Sequence, residues 1–388
     1  MSRLPFEYAV RNQTRAPGRT LLQFSGSVLV PLLVLASAAF VVGLERSLAI
    51  SASPANVILL STGSEESIER SQIDARVASI AAASIPGIRR RLGEAAVSPE
   101  VHLGLSVRTG SPGGQDGLAV VRGVTSAAFL VHDRVRIFEG RVPESGANEV
   151  MVGRLLGAKL GSGERAVEVG STLWIDEQAW QVVGRFEAPG TVLEGEIWAP
   201  LTDLQVLARR DSLSCVVLSL ENPSDFARVE AFAISRLDLE ITAMTEIEYY
   251  RKLGEFFAPI RWLVVLTAIL IGAGGVLGGL NLSYAAFAAR IRELGTLQVL
   301  GFSRTAILLT LVQESALVAA AGSLVAAGLG LVFLDGIAIR FSMGIFGLVV
   351  NGPVVAVTLS AGLALGVLGT IPPSLRCLTA PLTTTLKS

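Results

Sequence analysis

Lysine is nearly missing from this chain of 388 residues: Lys159, Lys252 and Lys387 are its only copies, and none follows a glycine. A phosphate-cradling P-loop needs Gly-Lys ahead of Ser or Thr, so the chain does not hydrolyse nucleotide by that device. Histidine is as scarce, with His102 and His132 alone. They lie too far apart for the His-Glu-x-x-His pair of a zinc hydrolase, and spacing alone neither supports nor removes a Ser-His-Asp site. The two cysteines, Cys215 and Cys377, fall on opposite sides of a membrane in the topology developed below, which leaves no disulfide framework. Charge is thin as well: Asp, Glu, Lys and Arg make up 17% of the residues against 51% hydrophobic ones, and mean hydropathy is +0.57. That is too apolar for an ordinary soluble enzyme and fits a membrane protein with a large polar insert.

What the chain has in abundance is long uncharged runs. Residues 21–44 carry no charge, and at 1.5 Å per residue such a stretch crosses ~30 Å of hydrocarbon with some tilt. The apolar core of a cleavable signal peptide is about 7–15 residues, so this run reads as a retained span although Ala36-Ser37-Ala38 mimics a processing site. Further runs predict spans at 259–287, 305–334 and 346–371, the last broken early by Pro353 and closed by Pro372-Pro373. Arg261 and Trp262 mark the outer rim of the second, where Trp favours the interface.

Short cytoplasmic loops retain Arg and Lys. Segments 1–20, 288–304 and 372–388 carry nine basic residues against Glu7 and Glu293, which puts them and both termini on the cytoplasmic side. Segment 335–345 is then a short outer loop, and residues 45–258 form the extracytoplasmic insert. From Glu45 to Glu255 that insert holds 29 acids and 21 bases, the opposite balance.

Residues 45–258 show the pattern of a folded α/β domain. Residues 56–60 read as a strand and 65–85 as a helix, with Ser64 as cap and Glu65 and Glu66 in the first turn, where the helix dipole favours them. Residues 101–108 and 118–124 alternate as strands around Ser111-Pro112-Gly113-Gly114. Short strands at 136–138, 148–152, 167–175 and 180–186 predict an inserted β-rich lobe. Helices near 201–209 and 224–237, with strands near 213–220 and 240–243, return the chain to the first layer. A helix over 245–257 leads into the second span. Trp174, Trp180 and Trp198 read as core and rim aromatics of the lobe, and Arg89-Arg90-Arg91 as a solvated helix end rather than a nucleic-acid surface.

Polar and small residues inside the apolar runs narrow the function. Gly274-xxx-Gly278 and Gly275-xxx-Gly279 permit close helix approach, within the subunit or across a dimer. Glu314, beside Gln313, is the one acid well inside a span, and intramembrane carboxylates are costly. A lone acid makes a poor proton relay, so its expected role is structural, near the arginines of 288–304. There, RIRELGTLQVLG from Arg290 to Gly301 spaces Ile291, Leu294 and Leu297 by three and sets Arg290, Arg292 and Glu293 on the other side. By pattern alone this is either a grip for another protein or an interfacial helix anchored by its arginines.

Arg290 with Glu293-Leu294-Gly295 and Leu300-Gly301, followed by Gln313-Glu314-Ser315 and a Gly/Ala-rich span, resembles the C-terminal signature of the FtsX-like permeases, the membrane subunits of ABC transporters that include the MacB and LolCDE systems. Arg11-Asn12 with Arg15 and Arg19-Thr20 resembles the start of the same family. Phe138-Glu139-Gly140-Arg141, Asn148 to Gly153, Trp180 to Gly184 and Ile197 to Leu201 are similar to the extracytoplasmic domain of its MacB-type members.

The resemblance implies a membrane protein of four transmembrane α-helices, with a porter-like βαβ layer and an inserted β-rich lobe between the first and second. It further implies that Arg290, Arg292, Glu293, Leu294, Gly295, Leu297, Leu300 and Gly301 form the coupling helix that docks on an ABC ATPase. Two copies of that ATPase, a second copy of the permease and the lipid bilayer are the implied partners, with a membrane-fusion or adaptor protein as a further candidate. No cofactor is expected on the chain itself; ATP and Mg belong to the ATPase. Mechanotransmission for export or extraction of a lipoprotein, lipid, peptide or small toxic compound is the expected work, in the cell inner or plasma membrane. An FtsX-type regulator of a cell-wall hydrolase and a membrane-tethered enzyme or sensor without an ATPase are the alternatives.

Overall fold

The computed structural model describes residues 10, 13, 17–110, 116–162, 164–341 and 344–379. Most of the expected N-terminal segment, the Ser111 to Gly114 turn and the tail beyond Thr379 lie outside the described residues. The chain divides into a helical unit, Met1–Val42 with Pro259–Ile337 and Leu348–Ser388, and an α/β unit, Gly43–Ala258 with Ala338–Gly347.

The elements follow in chain order. Helix α1 (Pro17–Ser51) precedes β1 (Asn56–Ser61), α2 (Arg76–Ser84), β2 (Val97–Thr109), β3 (Asp116–Val124) and the single turn α3 (Ala128–Val131). Then come β4 (Arg136–Gly140), β5 (Glu149–Gly153), α4 (Leu156–Leu160), β6 (Thr172–Ile175), β7 (Gln178–Glu187), β8 (Ile197–Pro200) and α5 (Leu201–Ala208). Strand β9 (Cys215–Ser219), α6 (Phe226–Ser235), β10 (Ile241–Thr245) and α7 (Glu246–Phe256) complete the main stretch of the α/β unit. Helices α8 (Ala258–Ala288), α9 (Ile291–Val299) and α10 (Arg304–Leu329), strands β11 (Ala338–Phe341) and β12 (Gly344–Gly347), and helices α11 (Gly352–Leu368) and α12 (Ile371–Thr379) finish the chain.

Among the described residues the α/β unit is built on one ten-stranded sheet ordered β10-β1-β9-β2-β3-β8-β5-β7-β4, with β6 pairing β2 and β7. Strand β2 is the splice between two parts of it. Its first residues, Val97 to Glu100, pair antiparallel with β9, and Val101 to Arg108 then pair with β3. Alternation along β2 puts Val97, Val101 and Val107 on the face that meets Val77 and Ala81 of α2 and Val229 and Ala233 of α6 in the main core. Ser98, Glu100 and His102 take the opposite face, and all three are buried.

The helix expected over 65–85 is shorter. A 3-10 turn spans Ile68–Arg70, and α2 begins only at Arg76. Between them Ile73 exchanges backbone hydrogen bonds with Leu213, both at 2.9 Å, and the Ser71 hydroxyl accepts from Ser61 N at 2.8 Å. Tertiary pairing of this segment competes with local helix propensity and wins. Arg90–Arg91 is likewise not a helix end: it pairs with Glu94–Ala95 in a two-residue ribbon. Helix α7 begins as its sequence suggests, with the Thr245 hydroxyl accepting from Glu248 N at 3.2 Å and Glu246 and Glu248 in the first turn.

The segment 338–347 between the third and fourth apolar runs belongs to the α/β unit. Strands β11 and β12 form a hairpin whose Arg340 guanidinium would meet a side chain placed at Gly161, and whose Ile345 would meet one at Gly195. Glycine at both positions lets the hairpin seat against α4 and the turn Val192–Gly195.

Four helices of the described chain are long and apolar enough to cross a membrane by length and composition: Thr20–Ser51, Ala258–Ala288, Arg304–Leu334 and Gly352–Thr379. The prolines of the fourth run act differently from expectation. Asn351 caps Val354 N at 3.1 Å, and Pro353 sits in the first turn of α11, where a missing N–H costs nothing. Pro372 and Pro373 occupy the first turn of α12 rather than ending the helical run. Small residues set the packing of the helical unit. A side chain at Gly322 would strike Ser27, one at Gly330 would strike Leu35, and one at Gly362 would strike Ser323.

Candidate functional site

Strand register in the α/β unit gathers a row of polar side chains that are far apart in sequence. Cys215 of β9 stands opposite Glu100 of β2, His102 of β2 opposite Arg122 of β3, and Arg122 opposite Trp198 of β8. His132, which follows α3, comes in from the side. Glu100 accepts from both imidazoles, at 2.8 Å from His102 Nε2 and 2.7 Å from His132 Nε2, and from Arg122 Nη1 at 2.7 Å. Arg122 continues the chain of contacts through two 2.7 Å bonds to the carboxylate of Glu196, which also accepts from Trp198 Nε1 at 2.9 Å.

Because every member is buried, each pKa is a contest between lost solvent and near charge. Burial disfavours the anion of Glu100, yet His132 and Arg122 hold it well below the usual carboxylate range. Burial also opposes charge on His132, and the Glu100 carboxylate overcomes that and raises it. His102 goes the other way, pulled down by burial and by the nearby Arg122. Two carboxylates thus face one guanidinium and two imidazoles, of which His132 is the more readily protonated.

Glu100, His102 and Cys215 bring ligand atoms within 4.8 Å of one another, a donor set of the type zinc accepts. The surroundings do not fit a metal ion. Glu100 already takes three donors, one of them the fixed charge of Arg122, and burial pushes the Cys215 thiol well up, away from the thiolate a metal needs. The cluster reads as a structural brace.

In the helical unit the short helix α9 carries the expected coupling segment. Arg290 caps its start and is only 8% exposed; it donates to Glu293 Oε2 at 3.2 Å and to Glu314 in α10 at 3.2 Å. Leu294, 2% exposed, packs with Phe287, Ile307, Leu311 and Leu378, and Gly295 is buried beside it. Leu297 is half-buried against that cluster. Arg292, Glu293, Leu300 and Gly301 are exposed, together with Val299. Of the eight residues, then, Arg290, Leu294 and Gly295 face inward and anchor the helix, while the outward face is Arg292, Glu293, Leu300 and Gly301. Glu314 is buried against Arg290 as its cost demands, but Gln313 is exposed and not part of that contact. Gly275 packs against Val30 and Leu365, and Gly279 approaches Gly369, whereas Gly274 and Gly278 meet nothing within 4 Å.

Sequence reasoning found the charged helix and the acid of the third apolar run but missed the buried network of the α/β unit. The signal was Glu100-x-His102 inside an alternating strand, which puts two ionisable groups on one face. Its partners Arg122, His132 and Glu196 become visible only through strand order.

The chain matches the MacB-like periplasmic core domain over residues 20–234 and the FtsX-like permease C-terminal domain over residues 245–382. Among solved structures it is similar to the periplasmic region of MacB from Actinobacillus actinomycetemcomitans, with 11% identity over 53% of this chain and 94% of that one and a TM-score of 0.39. It is also similar to the extracellular domain of the ABC-type transporter YknZ from Gram-positive bacteria, with 15% identity over 49% of this chain and 100% of that one and a TM-score of 0.37. No curated protein matches it. With the periplasmic core matched over more than half its length and the permease domain following directly, the chain belongs to the MacB/FtsX-like family of ABC transporter permeases.

Proposed function

We propose that this chain is the force-transmitting subunit of its transporter: a separate ATPase closes on ATP, displaces α9, and the displacement reaches the α/β unit along the chain connections between the two units. The observation that carries the reading is the division of labour within α9. Leu294 and Arg290 are locked into the helical unit, and Arg292, Glu293, Val299 and Leu300 are left exposed on a nine-residue helix. A helix fixed on one side and exposed on the other passes displacement on instead of absorbing it.

In this reading four spans place both termini in the cytoplasm and residues 45–258 outside. Two permease copies work with two ATPases, and the stroke drives export or extraction of a lipoprotein, lipid, peptide or small toxic compound. The helical unit supports a mechanical rather than a channel role, because small residues close its helices onto one another. The test is co-purification of the chain with an ABC ATPase from cells that express both. A stable complex whose ATPase activity depends on Leu300 supports the reading. Full retention of the complex in a Leu300→Asp, Glu293→Lys variant sinks it.

A further inference from the structure

The α/β unit contains a cavity of about 380 Å³, within the ~300–1,000 Å³ range of small-molecule sites. Its walls come from the places where this unit's chain runs on into the apolar helices: Leu44 and Leu48 at the end of α1, Leu253 and Phe257 at and just beyond the end of α7, and Ile345 of β12. These walls are apolar. It is also lined by the buried network described above, through His102, Arg122, His132 and Glu196, and by Glu66, Glu69 and Glu246.

Three features point to a ligand carrying positive charge. Arg122 is already engaged by Glu100 and Glu196, and His132 by Glu100, which leaves Glu66, Glu69 and Glu246 in the lining against Arg70. Burial and the like charge of Glu196 raise the carboxyl of Glu69, and burial raises that of Glu246. Lys159, whose charge acts on both Glu69 and Glu196, is itself pulled down to about 8 by burial and so compensates them poorly. The third feature is Ser47: it is 5% exposed, lines the cavity, and its hydroxyl has no hydrogen-bond partner among the described residues. A buried hydroxyl without a partner costs free energy unless something in the cavity meets it.

We propose that this cavity binds a small amphiphile with a protonated amine as head and an alkyl or aryl body. The ammonium lies against Glu69, Ser47 accepts or donates one further hydrogen bond, and the body fills the space among Leu48, Leu253 and Ile345. The volume is too small for a two-chain phospholipid. Bound there, the ligand touches α1, α7 and the β11–β12 hairpin together, and so it joins the segments through which the unit is tethered. This site goes beyond the coupling role and needs no ATPase to be observed.

The test uses the full chain in phosphatidylcholine nanodiscs, titrated calorimetrically with octylammonium, octanol and octanoate, with empty nanodiscs subtracted. Equal tails cancel the contribution of apolar burial and leave the head group as the variable. Octylammonium binds saturably at one per chain, at least tenfold more tightly than octanoate, and Glu69→Gln weakens it about tenfold without changing octanol binding. Ile345→Trp, which fills the cavity from the hairpin, removes binding of all three. Equal affinity for octanoate, or no saturable binding because the cavity holds water alone, overturns the proposal. The head-group ranking on the unsubstituted chain decides it even if a variant fails to fold.

Discussion

Arg290, at the start of α9, donates from Nη1 to both carboxylate oxygens of Glu314 in α10, at 3.3 and 3.2 Å, with both side chains more than nine-tenths buried. One contact thereby joins the arginine at the start of the segment proposed for coupling to Glu314, the acid deep in the third apolar run. Neither residue is placed to meet a partner through this contact. Its effect is to tie the start of α9 to α10.

Removing either side of that pair takes a buried charge-to-charge contact from the other. Breaking a buried pair costs about 3–5 kcal/mol, so Glu314→Gln and Arg290→Gln each lower the thermal midpoint of the purified chain. The double variant loses less than the two single losses together, because each single variant already loses the same shared contact. Melting curves of the four proteins in one detergent measure the coupling, and strict additivity would show that the contact contributes nothing.

The two faces of α9 separate folding from docking. Leu294→Ala removes a fully packed side chain and costs about 2–5 kcal/mol. Leu300→Asp alters a residue that is 70% exposed and shifts stability by only about 0.5 kcal/mol, yet it abolishes ATPase association. Parallel melts and pull-downs read both effects. A Leu300→Asp chain that melts early would remove the distinction.

In the α/β unit, Glu100 is the anion on which three donors converge. Glu100→Gln leaves Arg122 and His132 with one compensating carboxylate between them, and the expected loss is about 3–5 kcal/mol. Chemical denaturation followed by the fluorescence of Trp198, which stacks near Arg122 and Phe186, reports it locally.

His132 makes part of that stability depend on pH. Its folded pKa is raised by Glu100 against the cost of burial, so its contribution is fully present below the unfolded imidazole value and is lost as pH rises through the folded value. The stability difference between the native chain and His132→Gln is therefore largest in mild acid and shrinks toward alkaline pH. His102, whose pKa is lowered by burial, works in the opposite sense in the same range, which is why the comparison must be made against the His132 variant. A difference that grows with pH would contradict the assignment.

Gly274 and Gly275 are adjacent but not equivalent. A side chain at Gly275 meets Val30 and Leu365 at 2.9 Å, while one at Gly274 meets nothing within 4 Å. Gly275→Val is expected to destabilise the subunit. Gly274→Val leaves the subunit folded and weakens association of two copies if that face is the dimer contact. Native mass spectrometry alongside a melt distinguishes the two.

The amino-acid sequence by itself determined the long uncharged runs, the charged helix between two of them and the α/β character of the insert. Each of these is a local property: run length, three-residue spacing and two-residue alternation do not depend on what packs against them. It also determined that Glu314 needed a partner, because an acid in an apolar run has no cheap alternative.

Only the tertiary structure decided that Arg290 is that partner, that Leu294 anchors while Leu300 is exposed, and that Pro372-Pro373 open a helix instead of closing one. The same holds for Glu100, His102, Arg122, His132 and Glu196. Strand order and register bring them together from separate elements, and no local pattern encodes which strand lies next to which. The hairpin at 338–347 reads as a bare loop in sequence because the contacts that give it a place, at Gly161 and Gly195, lie far away along the chain.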